Sequence, residues 1–405
     1  MKLHDRFVGN LLDAIRSSQG QDPTAATAII QDALRGAGLM PAAPPPASAP
    51  ASAAAGRFVD LNEAPAWTGK PAAPAAAPAP GPLPNPAAAL RDALAGLAGR
   101  FDLPMPGQAR GRAPAADPAA PGQFLHGEAG NAAGTRAYRL YVPARPADGP
   151  RPLLVMLHGC KQDAADFAAG TAMNALAEEH GCLVLYPEQT PRANGSNCWN
   201  WFEAQHQGRD GGEPSIIADM TRAVVREHGA DPARVYVAGL SAGGAMAAIL
   251  GAACPDLYAA VGVHSGLAAG CAHDLMSGLN AMKGARAGKA GPGREAPAGR
   301  RVPAIVFHGD RDAVVHPSNG DAVLAQFAAG ARLREVEERG SSGAGRSHTR
   351  RVALDDAGTP VLESWLLHGA GHAWAGGSPA GSYTDAAGPD ASAEMLRFFL
   401  GQRRD

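Results

Sequence analysis

The 405-residue chain has no surplus of charge of either sign: 36 Lys and Arg face 38 Asp and Glu, a net charge of −2 at pH 7. Without a basic excess there is no electrostatic footprint for nucleic acid, and none is expected as a partner. No apolar run reaches the length needed to cross a bilayer, so no transmembrane segment is expected. The opening residues, Met1 to Asn10, are too polar to form the apolar region of a secretory signal, which points to the cytoplasm. Cysteine is sparse, with five residues at 160, 182, 198, 254 and 271, an odd number that leaves at least one thiol unpaired unless two chains are joined. In a reducing compartment all five would be quiet thiols. In an oxidising one, Cys160 with Cys198 or Cys254 with Cys271 are candidate pairs, and the sequence does not choose a connectivity. None shows zinc-ligand spacing, and neither a metal nor a cofactor is expected. Tryptophan is also rare, with five in the chain, yet Trp199 and Trp201 share one short segment.

What the chain does contain is unevenly distributed. Phe7, Leu11, Leu12 and Ile15 fall on one face of an amphipathic helix, and Asp22-Pro23-Thr24 opens a second helical stretch to Leu34. Residues 1–40 are therefore read as a short helical segment. Pro41 to Pro84 is mostly Pro and Ala, which buries too little apolar surface to offset chain entropy. With one short helix over Ala87 to Arg100, residues 41–121 are read as a linker.

Across residues 122–405 the pattern becomes strand–helix alternation. The apolar runs Arg136 to Val142, Leu153 to Leu157, Cys182 to Tyr186, Arg234 to Ala238, Ala259 to Val263, Val302 to Phe307 and Val361 to Leu367 predict strands. Thr171 to His180, Ser215 to His228, Ala245 to Ala253 and Ala391 to Leu400 predict helices. Alternation of this kind predicts an α/β fold, with a mostly parallel central sheet covered by helices on both faces. Gly278 to Gly299, rich in Gly, Ala and Arg, reads as a flexible surface insertion.

Chemistry enters at Gly239-Leu240-Ser241-Ala242-Gly243. A bare G-x-S-x-G is a weak signal in a chain with 51 Gly. Here a strand precedes it and a helix follows, the context of a nucleophile elbow, in which small neighbours let the Ser occupy a strained turn. A Ser hydroxyl needs a His base and an acid to orient that base. Asp310 and Asp312 follow the strand that ends at Phe307, and Asp312, three residues past Gly309, is preferred to Asp310, which reads as a turn cap. His372, on a Gly-rich loop after the strand ending at Leu367, is preferred to His368, which reads as a packed, hydrogen-bonded residue. Two backbone N–H groups are then required for an oxyanion hole. Ala242 supplies one, and Cys160, in the turn His158-Gly159-Cys160-Lys161-Gln162, supplies the other. A metal-dependent site built from His158, His308, His368 and Asp310 is the weaker alternative, because these residues lack close paired spacing.

Leu157 to Gln162, Asn197-Cys198-Trp199-Asn200-Trp201-Phe202, Gly239 to Gly244, Gly262-Val263-His264-Ser265-Gly266, Gly371-His372-Ala373-Trp374 and Ser382-Tyr383-Thr384-Asp385 together resemble the esterase family of poly(3-hydroxybutyrate) depolymerases. The resemblance implies an α/β-hydrolase fold with a type 1 catalytic domain and a triad of Ser241, Asp312 and His372, with Cys160 at the oxyanion hole. It implies a serine esterase for short-chain-length polyhydroxyalkanoate or its oligomers. Feruloyl and acetylxylan esterases also belong to the family, so a small-ester substrate is a second expectation. Many relatives are exported, which makes an extracellular location the alternative to the cytoplasm. Trp199, Trp201 and Trp374 are read as candidates for substrate contact, against the alternative that they fill the core. Asp219 and Asp385 are weaker candidates for supporting roles. The N-terminal helical segment is read as a weakly ordered extension with no catalytic role, against docking on a partner, on a polymer granule surface or on its own catalytic domain; a non-catalytic granule-binding protein is the rival of a different class.

Overall fold

The computed structural model describes residues 120–284, 301–328 and 331–404. The helical segment and the linker up to residue 119, and the insertion beyond Gly284, lie outside the described residues. Ten strands form one sheet: β1 (Gln123–Asn131), β2 (Gly134–Val142), β3 (Arg151–Leu157), β4 (Leu183–Pro187), β5 (Ala230–Leu240), β6 (Ala260–His264), β7 (Ala304–Gly309), β8 (Arg334–Ser341), β9 (Ser347–Leu354) and β10 (Pro360–Leu367). Their order is β1-β2-β4-β3-β5-β6-β7-β10-β9-β8. The six inner strands from β4 to β10 run parallel, and antiparallel hairpins, β1–β2 and β8–β9, extend the sheet at either side. A small parallel pair, β11 (Trp374–Ala375) and β12 (Thr384–Asp385), lies apart. All seven strands expected from apolar runs are present.

The inner strands are apolar because both faces are covered. Along β3, Leu153, Val155 and Leu157 join one buried layer while Leu154 and Met156 join the other. The helices are α1 (Ala164–Thr171), α2 (Met173–His180), α3 (Gly212–Glu227), α4 (Ala242–Ala253), α5 (Leu275–Met282), α6 (Ser318–Ala328) and α7 (Ala391–Leu400). Asp163 caps α1 and Asp390 caps α7, each accepting a first-turn backbone N–H.

Three expectations are corrected. Thr171 to His180 is not one helix, because Ala172 takes a left-handed conformation (φ 52°) that ends α1 and starts α2. The first part of the Gly-rich segment from Gly278 is helical, continuing α5, whose start is fixed by a reciprocal capping box between Asp274 and Ser277. Of the hairpins β1–β2 and β8–β9 only β2 was anticipated, since β1, β8 and β9 carry no long apolar run; all eight residues of β8 are exposed.

Helix α4 is buried around most of its circumference and consists largely of Ala and Gly. Its first turn presses on the end of β3: a Cβ on Gly243 would lie 2.1 Å from the Leu157 carbonyl oxygen and 2.6 Å from that of His158. Gly243→Ala should therefore overpack a backbone–backbone contact and lower stability by about 1–3 kcal/mol. Urea denaturation should show a lower midpoint at an unchanged slope; an unshifted midpoint would mean this contact does not constrain the fold.

Candidate active site

Ser241 occupies the single residue between β5 and α4, with φ 57° and ψ −118°. Its N–H donates to the His264 carbonyl at the end of β6 (2.9 Å), and its own carbonyl accepts the Ala245 N–H (2.9 Å). An L-residue with positive φ persists only where its surroundings hold it. Two residues before it stands Gly239, where a Cβ would fall 2.4 Å from Gly243 backbone atoms, so no side chain fits there.

Two strands along, Asp312 follows β7. Its side chain is fully buried. One carboxylate oxygen, Oδ1, accepts the backbone N–H groups of Val314 (2.9 Å) and Val315 (2.8 Å). The other, Oδ2, accepts Nδ1–H of His372 at 2.7 Å, from the loop after β10. Burial alone would raise the Asp312 carboxyl. Hydrogen bonds from His308 and His372, the proximity of His372 and the Val315 N–H outweigh it and hold the group far below the usual carboxylate range. The strands β5, β6, β7 and β10 are neighbours, so Ser241, Asp312 and His372 all lie at the carboxyl edge of the parallel sheet. Asp310 and His368 form a second pair beside the first: His368 Nδ1 lies 3.0 Å from Asp310 Oδ2, and Asp310 Oδ1 accepts the Gly369 N–H (2.7 Å). Asp310 thus caps the loop after β10 rather than its own turn, and His368 also meets Thr349 Oγ1 at 2.9 Å.

The loop after β3 comes up to the elbow. A Cβ on Gly159 would sit 3.6 Å from Ser241 Cβ. The Gly159 N–H donates to the buried Gln162 Oε1 (2.9 Å), and Gln162 Nε2 donates in turn to Asp166 (2.8 Å) and Ser382. Among the described residues no backbone carbonyl takes the N–H of Cys160 or of Ala242. Cys160 is disulfide-bonded to Cys198, while Cys182, Cys254 and Cys271 are free. Of the two candidate pairs, the structure thus contains the one at the elbow loop.

The aromatic residues lie elsewhere than at a binding surface. Trp199 is 0% and Trp374 is 1% exposed, so neither offers a face to a ligand. Trp374 stacks near His264 (ring centroids 5.2 Å) and donates from Nε1 to Ser392 Oγ (3.0 Å). Trp199 packs against the His158 ring at 5.5 Å. Trp201, 5% exposed, meets Phe202 edge-on. These are core positions, Trp199 and Trp201 in one buried layer and Trp374 in the other. Asp219, on the surface, accepts from Asn131 (2.7 Å), and Asp385 pairs with Arg346 (2.8 Å).

The histidines considered as metal ligands are otherwise engaged. His158 donates from Nδ1 to the Gly159 carbonyl (2.8 Å) and accepts the Gln189 N–H at Nε2 (3.1 Å). His308 Nε2 lies 2.8 Å from the Val315 carbonyl and 3.5 Å from Asp312 Oδ2. Among the described residues no group of three or more His, Cys, Asp or Glu is placed to hold a metal ion.

Sequence reasoning missed two residues around the site. Gln162 braces the elbow-facing loop, as described above. His264, wholly buried, fixes Ser241 through its carbonyl and accepts the Ala375 N–H at Nε2 (3.0 Å). No spacing rule gives either one a role; the signal was their place in the motifs Leu157 to Gln162 and Gly262 to Gly266 that carry the family resemblance.

A sheet of this order, with an elbow serine, an acid and a histidine on successive loops at its carboxyl edge, defines an α/β-hydrolase. The chain belongs to the family described as Esterase PHB depolymerase, whose model matches residues 136–351. It is 32% identical over 245 residues to poly(3-hydroxyalkanoate) depolymerase C of Paucimonas lemoignei, covering 57% of each chain. It is 29% identical over 263 residues to a poly(3-hydroxybutyrate) depolymerase of Ralstonia pickettii, covering 62% of this chain and 53% of that one. It is 30% identical over 221 residues to acetylxylan esterase A of Talaromyces purpureogenus, covering 51% of this chain and 56% of the other. The chain therefore spans little more than half the length of these relatives. Among solved structures, an acetyl xylan esterase from Aspergillus awamori shares the fold, with a TM-score of 0.51, 21% identity and coverage of 66% of this chain and 94% of that one.

Burial pulls the His264 imidazole down to about 3, with the nearby His308 and His372 acting in the same direction. A depressed folded-state value means that its stabilising share is complete above the unfolded value near 6.5 and is lost as pH falls from there toward 3. The unfolding free energy should drop by about 1.4 kcal/mol per pH unit from this group below pH 6.5, or about 2 kcal/mol at pH 5. Burial shifts His158 in the same direction. Denaturant titrations at several pH values should show that slope, and His264→Gln should reduce it by one proton's worth; an unchanged slope in the variant would remove His264 as its source.

Proposed function

We propose that the protein is a serine esterase that cleaves short-chain-length polyhydroxyalkanoate or its oligomers through an acyl-enzyme. The observation that carries this reading is the 2.7 Å contact between His372 Nδ1 and the buried Asp312 carboxylate, at the same sheet edge as the strained Ser241. Because Nδ1 donates its proton to Asp312, neutral His372 has a bare Nε2, the tautomer a general base needs. In the proposed mechanism His372 takes the Ser241 proton as the hydroxyl attacks the ester carbonyl. The oxyanion is held by the N–H groups of Cys160 and Ala242, and His372 then protonates the leaving alcohol. Water, activated by the same ring, releases the acid. Asp312 keeps the tautomer and stabilises the imidazolium, a task its strongly held negative charge suits. No step calls for a cofactor.

The depolymerase relatives from P. lemoignei and R. pickettii support the polyester as substrate. The acetylxylan esterase relative supports a second reading, a small-ester carboxylesterase of acetylxylan or feruloyl type. A granule-binding protein without catalysis is disfavoured, since binding gives no reason to assemble the His372–Asp312 pair beside an elbow serine. The Cys160–Cys198 disulfide favours an oxidising compartment, the extracellular alternative to the cytoplasm.

Ser241→Ala and His372→Ala should each remove nearly all ester hydrolysis while leaving the circular dichroism spectrum unchanged; near-normal turnover in either would refute the triad. Asp312→Asn, which preserves shape but reverses the tautomer preference, should lower kcat by about four orders of magnitude. Release of 3-hydroxybutyrate from amorphous poly(3-hydroxybutyrate), lost in Ser241→Ala, would establish the polyester reading. Hydrolysis of short p-nitrophenyl esters with no such release would favour the small-ester reading.

A further inference from the structure

His372 hangs on a tether with almost no stiffness of its own. Between the end of β10 and His372 lie His368, Gly369, Ala370 and Gly371. Glycine gives up its conformational freedom only where something outside holds it. A Cβ on Gly371 would meet nothing within 4 Å among the described residues, so packing does not hold that end. The Asp312 carboxylate grips the ring through Nδ1 (2.7 Å). One bond of that kind leaves the ring free to pivot about it and to carry Nε2 away from Ser241.

The other end of the tether is gripped as well, by groups the ester chemistry does not use. His368 Nδ1 lies 3.0 Å from Asp310 Oδ2, and Asp310 Oδ1 accepts the Gly369 N–H at 2.7 Å. The Arg311 N–H donates to the Ala370 carbonyl (3.0 Å), and a Cβ on Gly309 would lie 2.4 Å from that same oxygen. Asp310 and Asp312 stand two residues apart, so the loop after β7 holds the loop after β10 at both ends. Strand β9 and the residue before it close the clasp from the other side. Thr349 Oγ1 meets His368 Nε2 (2.9 Å), the Ser347 carbonyl accepts the His368 N–H (2.9 Å), and Arg346 donates to the His368 carbonyl (3.1 Å).

Thr349, His368 and Asp310 thus line up hydroxyl, imidazole and carboxylate in the order of a catalytic relay. Thr349, however, is 7% exposed and lies within a strand, so its hydroxyl is not presented to a substrate. The line is a brace, and it survives a change of charge on the ring. Neutral His368 donates from Nδ1 to Asp310 and accepts the Thr349 hydroxyl at Nε2; the cationic ring donates at both, since a hydroxyl serves in either role. Burial pulls the Asp310 carboxyl up, but hydrogen bonds from His368 and Gly369 outweigh it and hold the group below the usual carboxylate range. The side chains of Asp310 and His368 are 35% and 37% exposed. An ion pair that open adds little to stability, which leaves placement of the loop as what it does.

We propose that Asp310 and His368 are positioning residues for ester hydrolysis: clasped together against β9, they set the angle at which their loop delivers His372 to Ser241. Both act through His372. With the clasp open, Asp312 still holds Nδ1, so the base is kept but swings. A misplacement of about 1 Å costs about 10²-fold, whereas loss of the triad acid costs about 10⁴-fold. A fall in kcat of about 10- to 100-fold is therefore expected.

This inference rests on the serine esterase reading, and the test separates the two. Asp310→Ala, His368→Ala and the double variant are made in the full chain and assayed on a short p-nitrophenyl ester. Each single variant should lose kcat about 10- to 100-fold with KM within about twofold, while the urea midpoint and circular dichroism stay near those of the parent. Because the two residues act through one contact, the double variant should fall no further than the worse single one. Thr349→Val, which removes only the hydroxyl behind His368, should lower kcat in the same way but by less. Undiminished kcat in both single variants, a loss carried wholly by KM, two losses that multiply in the double variant, or a fall that accompanies unfolding would overturn the positioning role. Hydrolysis that survives Ser241→Ala would instead overturn the esterase reading beneath it.

Discussion

Ser241 is held in a backbone conformation that an L-residue adopts only under constraint, and much of the architecture follows from that constraint. A left-handed serine costs on the order of 1–3 kcal/mol, and the carbonyl of His264 and the start of α4 are what offset it. For α4 to start there, its first turn must lie against the end of β3, which is possible only with hydrogen in place of a side chain at Gly243. The same closeness brings the loop after β3 up to the serine. Strand order then brings in the remaining groups: β6 and β7 follow β5, and β10 follows β7, so their carboxyl-end loops open onto one short stretch of sheet edge.

The electrostatics divide the histidines into two kinds. His158 and His264 are sealed in the interior, and burial keeps both neutral; each spends its ring nitrogens on backbone groups or a neighbouring hydroxyl. His372 sits at the border with solvent and faces a carboxylate that is itself locked in the charged form. A charge that does not fluctuate, holding the ring by Nδ1 and leaving Nε2 for the substrate side, is the arrangement general-base chemistry requires. The buried rings serve the opposite purpose, since a proton on any of them would strain the layer that supports the elbow.

Much of this was legible in the sequence, for reasons that can be stated residue by residue. The inner strands announced themselves because burial on both faces demands apolar runs, and the elbow because its small residues are dictated by backbone contact. Asp312 and His372 were found by their order after strands. The misreadings share a cause, which is tertiary context acting on sequences with no local signature. Trp199 and Trp374 are large and near catalytic segments, but which way each ring turns depends on the layer it meets. Ala172 carries nothing to reveal its left-handed turn. Strand β8 is charged or polar apart from Val336 and Gly340, because it forms by pairing with β9 and not by burial. The choice of Cys198 as the partner of Cys160 depended on two loops converging across 38 residues, which no spacing rule encodes.

The two outermost strands have a consequence of another kind. An open sheet ends in rows of unpaired amide groups, which invite a second copy to add its own strand. Here β8 presents Arg334, Glu335, Glu337, Glu338 and Arg339 at that border, and β1 is interrupted by Gly127 and Gly130 and carries Glu128. Both rims are poor templates for docking of like on like. The charges along β8 and the glycines within β1 are features by which an open sheet resists growth, strand by strand, into a ribbon.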